Sequence, residues 1–171
     1  MSWFRRAKSE AAPATAKEQL WRSFRELFDD ERLEYAGPDI GFDGMRADDV
    51  VRVWDHVKSR ATLLRSEIVW NRDNEEVAEP PALDAAVAQL ARGELGYVRV
   101  ALDGVESCGV RLPELLSEFW PDAVSMYWWA GSSWDEDSVA AFAEFLGELL
   151  HSCRVRNLRM SRPTAMSSGG R

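Results

Sequence analysis

Three tryptophans and three acids crowd one short stretch of this chain: Trp128, Trp129 and Trp134, followed by Asp135, Glu136 and Asp137. Indole rings offer a partner desolvated area and a stacking surface for guanidinium, and carboxylates pair with guanidinium bidentately. Side by side, these residue types suit the gripping of a basic protein. A plainer reading assigns Trp128 or Trp129 to a sheet core and the acids to a helix start. Alternation along a strand allows both, because Trp128 and Trp129 then point to opposite faces. These six residues form the candidate partner-binding site.

Other chemistry-bearing residues are sparse or scattered. The chain has two histidines, His56 and His151, and two cysteines, Cys108 and Cys153. A nucleophile needs an adjacent base, and Cys108 with His151 is the one conceivable dyad, yet neither spacing nor flanking residues bring the two together. Zinc ligands drawn from positions 56, 108, 151 and 153 would need closer clustering. Paired carboxylates recur at Asp29/Asp30, Asp48/Asp49, Glu75/Glu76 and Asp135/Asp137. With 29 acids in 171 residues, such pairs arise without a catalytic cause, and those at helix starts already serve as caps; magnesium at one of them stays open. No glycine-rich turn followed by Lys-Ser or Lys-Thr is present to cradle a phosphate. The residues therefore favour binding over catalysis, with no catalytic residue, cofactor or metal site expected.

Charge is unevenly distributed. The net charge is −8, but residues 1–18 carry a net +2 and residues 151–171 a net +5, which leaves −15 for the stretch 19–150. Such a body attracts basic proteins and repels nucleic acid. Arg154, Arg156, Arg159 and Arg162 could meet phosphate, but the acidic body opposes it, so no nucleic-acid binding is expected. Trp3 and Phe4 beside Arg5 and Arg6 are too few for stable membrane anchoring. There is neither the apolar core of a secretory signal nor a run of about 18 apolar residues, which makes a cytoplasmic location, with two buried free thiols, the expectation.

A composition 46% hydrophobic with eight tryptophans supports one folded core. The reading places a flexible lead over 1–14, one globular domain over 15–160 and a disordered tail over 161–171. Thr15 and Glu18 form a capping box for a helix whose Leu20, Trp21, Phe24, Leu27 and Phe28 share a face, with its exit at 29–31. Gly37-Pro38, Gly41 and Asp43-Gly44 predict an ordered loop or tight hairpin over 35–46. Asp48 or Asp49 caps a second helix running through Val50, Trp54, Val57, Ala61 and Leu64. Residues 67–70 read as a strand and Asn71 to Pro81 as an exposed acidic connection.

Further on, Leu83 to Arg92 reads as a helix stopped by Gly93, Tyr97 to Leu102 as a strand with one apolar face, and 105–112, after a turn at Asp103-Gly104, as the second strand of a hairpin. Pro113 predicts a short helix through Leu115, Leu116, Phe119 and Trp120, ended by Pro121. Residues 124–130 read as a central strand. Ser133 and Glu136 form a second capping box, opening a helix with Val139, Phe142, Phe145, Leu146, Leu149 and Leu150 on its apolar face. The alternation after His151, with a phase shift at Asn157, predicts a last strand near an edge. The strand-helix-strand order over 124–160 calls for a parallel crossover.

These elements predict an α/β or α+β single domain, with helices packed on a mixed sheet of about four to five strands and two helices at the N-terminus. The expected function is a non-catalytic acidic binding module, most specifically an immunity or antitoxin-like inhibitor that occludes a basic partner such as a toxin. Two alternatives stay open: a small enzyme with a carboxylate site at the strand C-terminal ends, or a structural adaptor using its basic ends.

Overall fold

The computed structural model describes residues 14–28, 38–152 and 157–161. The expected lead and tail lie outside these residues except for Ala14 and Ser161, as do the helix exit at 29–31, the start of the glycine-rich loop at 35–37 and the alternation at 153–156. The elements run α1 (Ala16–Phe28), β1 (Asp39–Asp43), α2 (Ala47–Arg60), β2 (Leu63–Asn71), α3 (Leu83–Ala91), β3 (Leu95–Asp103), β4 (Glu106–Ser107), β5 (Val110–Arg111), β6 (Leu115–Trp120), β7 (Ala123–Trp128), α4 (Glu136–Ser152) and β8 (Asn157–Ser161). The fold is an α+β single domain. Its main sheet has six strands in the order β2-β3-β6-β7-β1-β8, and a two-stranded ribbon pairs β4 with β5.

Every pairing in the main sheet is antiparallel, so the sheet is not mixed. The crossover expected over 124–160 survives in direction only. Both β7 and β8 run antiparallel to β1 and hence parallel to each other, but β1 lies between them. The intruding strand comes from the stretch read as a loop. Gly41 is part of β1 and not of a turn, and a Cβ there would come within 3.2 Å of the Arg159 guanidinium and of Ser125 Oγ, a tight approach of two side chains over the strand.

Alternating side chains divide the sheet into two faces. Val98, Val100 and Leu102 of β3, Leu115 and Phe119 of β6, and Val124, Met126 and Trp128 of β7 are buried toward the helices. Phe28 of α1 stacks on Trp128 at 4.9 Å between ring centroids, Phe142 of α4 meets the same indole at 5.1 Å, and Trp54 of α2 lies 5.8 Å from Phe119. Helix α3 rests on β3 and β6 beside α2, and the Trp54 indole N–H donates to Asp84 in its first turn at 2.8 Å. All four helices thus lie on one side. None of them covers the other side, which carries Trp70, Tyr97, Arg99, Glu118, Trp120 and Tyr127.

Several local expectations change. Residues 115–120 form a strand rather than the short helix predicted after Pro113: Leu115, Ser117 and Phe119 face the core while Leu116, Glu118 and Trp120 face away. Apolar residues on both faces hide the two-residue period, and pairing with β3 and β7 decides the outcome. Leu64 belongs to β2, which is longer than expected and carries a bulge between Ser66 and Ile68. Helix α2 starts after Arg46, so Asp48 and Asp49 lie in its first turn and do not cap it. Residues 105–112 do not pair with β3 as a second hairpin strand: β4 folds back on β5, the turn between them holds Cys108 at φ 50° and Gly109 at φ 76°, and Cys108 is exposed rather than buried. No helix among the described residues is long and apolar enough to cross a membrane.

Candidate functional site

The stretch from Trp128 to Asp137 joins β7 to α4, and the fold divides its six candidate residues. Trp128 and Trp134 are buried. With Phe28 and Phe142 they make an aromatic cluster whose centroids lie 4.7 to 6.4 Å apart, and both indole N–H groups are spent internally: Trp128 donates to the Leu27 carbonyl at 3.2 Å and Trp134 to the Trp129 carbonyl at 2.8 Å. The Gly131 N–H adds a bond to the Phe28 carbonyl at 2.6 Å. This anchoring fixes the loop from beneath. Trp129, just past the end of β7, is 45% exposed and is the indole of the three left at the surface.

At the start of α4 the cap is shifted by two residues from the expected box. Asp135, not Ser133, is the capping residue. Ser138 N–H donates to Asp135 Oδ1 at 2.8 Å while Asp135 N–H donates to Ser138 Oγ at 2.8 Å, a reciprocal pair of the capping-box kind. These bonds from the Ser138 backbone and hydroxyl hold the Asp135 carboxyl below its usual range. Asp137 is ion-paired with Lys17 of α1, which ties the N-terminus of that helix to α4. Asp135 and Asp137 are exposed and Glu136 half-buried. Trp129 and the three acids thus form a surface corner supported by a rigid aromatic base.

A second constellation lies on the helix-free face of the sheet, where sequence reasoning had placed nothing. Glu118 is buried at 5% exposure although it is on an open face, because four groups converge on it. The Tyr127 hydroxyl donates to Oε2 at 2.6 Å, Arg99 Nε donates to Oε1 at 2.9 Å, Arg99 Nη2 reaches the same oxygen at 2.5 Å, and the Tyr97 hydroxyl donates there as well. Burial, with the hydrogen bond to Glu118 second, pushes both phenols above their usual range. Flanking this network, Trp70 lies 4.7 Å and Trp120 5.2 Å from the Tyr97 ring. Reading 113–120 as a helix hid this network: Leu116 and Trp120 are as apolar as Leu115 and Phe119, so no alternation in the sequence singles out Glu118.

The residues considered for catalysis are not brought together. Cys108 is at the ribbon tip and His151 is exposed at the end of α4, with no hydrogen bond joining them. His56 instead faces Glu148, at 3.3 Å, and the Phe145 ring. Among the described residues no three His, Cys, Asp or Glu side chains gather as metal ligands would. An apolar cleft of about 280 Å³ between α1 and α4 is lined by residues such as Leu20, Phe24, Phe142 and Leu146 and by no ionisable side chain. The enzyme alternative looked to the strand C-terminal ends, which in this antiparallel sheet alternate between its two rims.

No family model and no curated protein matches the chain. A solved structure does resemble it in fold: a chain of the 1.75 Å crystal structure of the toxic C-terminal tip of CdiA from Pseudomonas aeruginosa in complex with immune protein, at a TM-score of 0.54 and 14% identity, covering 75% of this chain and 86% of that one. At that identity the likeness is one of fold alone.

Proposed function

We propose that this protein is a non-catalytic acidic binding module that occludes a basic partner protein, most specifically an immunity or antitoxin-like inhibitor of a toxin. The observation that carries the reading is the surplus of negative charge once internal pairing is accounted for. Seven of the nine Lys and Arg side chains between Pro38 and Ser152 are held in ion pairs with neighbouring carboxylates. Acids such as Asp73, Glu75, Glu76, Asp122 and Glu144 make no ion pair with another described residue. Surplus charge of one sign steers an oppositely charged partner and speeds association. The corner of Trp129, Asp135, Glu136 and Asp137, with Trp128 and Trp134 as its buried support, adds an exposed anchor of the type found at binding hot spots.

The fold likeness to a chain in a toxin complex supports the same reading. A basic partner also accounts for the acidic body better than solubility alone, since a solubilising surface has no need of an exposed indole. Co-expression with any toxin domain that this chain captures from its native cells tests the proposal. Cells are expected to survive, and the purified pair is expected to lose affinity steeply between low salt and about 0.5 M, where exposed charges are screened within a few ångströms. Failure to protect, or an affinity indifferent to salt, refutes it.

A further inference from the structure

We propose that the helix-free face of the sheet, centred on Trp70, Tyr97 and Trp120, is a docking surface for arginine side chains of a basic partner protein. The inference rests on the reading that the partner is basic, and it moves the centre of recognition away from the β7–α4 corner. Trp70 and Trp120 are half-exposed on either side of the buried Tyr97 ring. Together they make an aromatic strip across β2, β3 and β6. The strip is stiff, because the Tyr97 hydroxyl, Arg99 and Tyr127 all bond to Glu118 beneath it. Anchors already held in one conformation lose little entropy when a partner arrives.

Charge selects the occupant. The cations of the face itself are neutralised: Arg99 by Glu118, Arg65 by Glu114, and Arg159 by Asp39 and Asp43 at 3.9 and 3.7 Å. At the end of the sheet where Trp70 and Trp120 lie, the neighbouring turns carry Asp73, Glu75, Glu76 and Asp122 against Arg46 and Arg72, neither of which is ion-paired with a described residue, while Arg92 and Glu94 cancel each other. Glu76 is paired with Trp70 by an antiparallel backbone bridge, which sets the two side chains on the same face. A guanidinium stacks on an indole and pairs with a carboxylate at once, whereas an ammonium is a more strongly hydrated point charge. The face already holds one guanidinium in this manner, with Arg99 Cζ 5.9 Å from the Tyr97 centroid.

Titration of the full chain with hexa-arginine and hexa-lysine peptides, followed through the indole N–H resonances, tests the assignment. Trp70 and Trp120 are expected to shift, whether or not Trp129 at the β7–α4 corner shifts as well, and hexa-arginine is expected to bind about two- to fivefold more tightly than hexa-lysine, the worth of one exposed cation–π contact. Trp70→Ala and Trp120→Ala should each remove that preference and Trp129→Ala should keep it. Equal affinity for the two peptides, shifts confined to Trp129, or burial of the strip by a second copy of this chain in sedimentation overturns the proposal. The wild-type resonances decide the matter even where a variant fails to fold. Arginine binding on this face without toxin protection defeats the inhibitor reading alone; toxin protection with the face silent defeats this inference alone.

Discussion

Replacing Tyr127 by Phe removes one oxygen and leaves the ring, so it isolates a single hydrogen bond of the Glu118 network. The Tyr127 hydroxyl donates to Oε2 at 2.6 Å, while the other carboxylate oxygen keeps Arg99 and Tyr97. A hydrogen bond to a charged group contributes about 1.5–3 kcal/mol. Because Tyr127 is half-buried on a face without a helix, water can partly replace its hydroxyl, and the expected loss is about 1–2 kcal/mol. For a domain of this size each kcal/mol lowers the melting temperature by about 2–4 °C, so circular dichroism melts should show a drop of about 2–8 °C. Glu118→Gln combined with Tyr127→Phe completes a double-mutant cycle, in which the two losses should be less than additive. A melting temperature within a degree of wild type, or full additivity, would refute the network as a source of rigidity and weaken the docking face built on it.

Four further outcomes follow from the same geometry. With the Tyr97 and Tyr127 phenols held above their usual range, the folded state keeps protons that the unfolded chain releases; stability should therefore be intact below about pH 10 and fall as pH rises beyond it, less steeply in Tyr127→Phe. The opposite sign applies at His56, where burial lowers the imidazole despite Glu148, so stability measured by urea titration should decline as pH falls below about 6.5 and His56→Leu should flatten that decline. Asp135→Ala should cost about 1 kcal/mol through loss of the α4 cap, and Asp135→Asn, which can still accept the Ser138 N–H, should recover most of it. Trp128→Ala should cost about 3–5 kcal/mol, read by chemical denaturation, because it opens a void among Phe28, Trp134 and Phe142 and leaves the Leu27 carbonyl without its donor.

The sequence by itself determined the parts of this protein that rest on local signals. Thr15 and Glu18 bond reciprocally before α1, at 3.2 and 2.7 Å, as the capping box required. Gly93 stops α3 at φ 72 because a left-handed residue is needed there. Val98, Val100 and Leu102 define β3, and composition alone set the sign of the charge on the body. Tertiary structure decided what depends on partners distant in the chain. β1 and β6 became strands only through β7 and their other neighbours, since a glycine that admits Arg159 looks like a turn former and a strand apolar on both faces has no visible period. The same holds for the site: Trp134 is read as surface until Phe28 and Phe142 close over it, and Glu118 acquires its partners only when register sets Arg99 and Tyr127 beside it. Capping and turn geometry act within a few residues and are written locally, whereas the partner of a strand is chosen by the whole sheet.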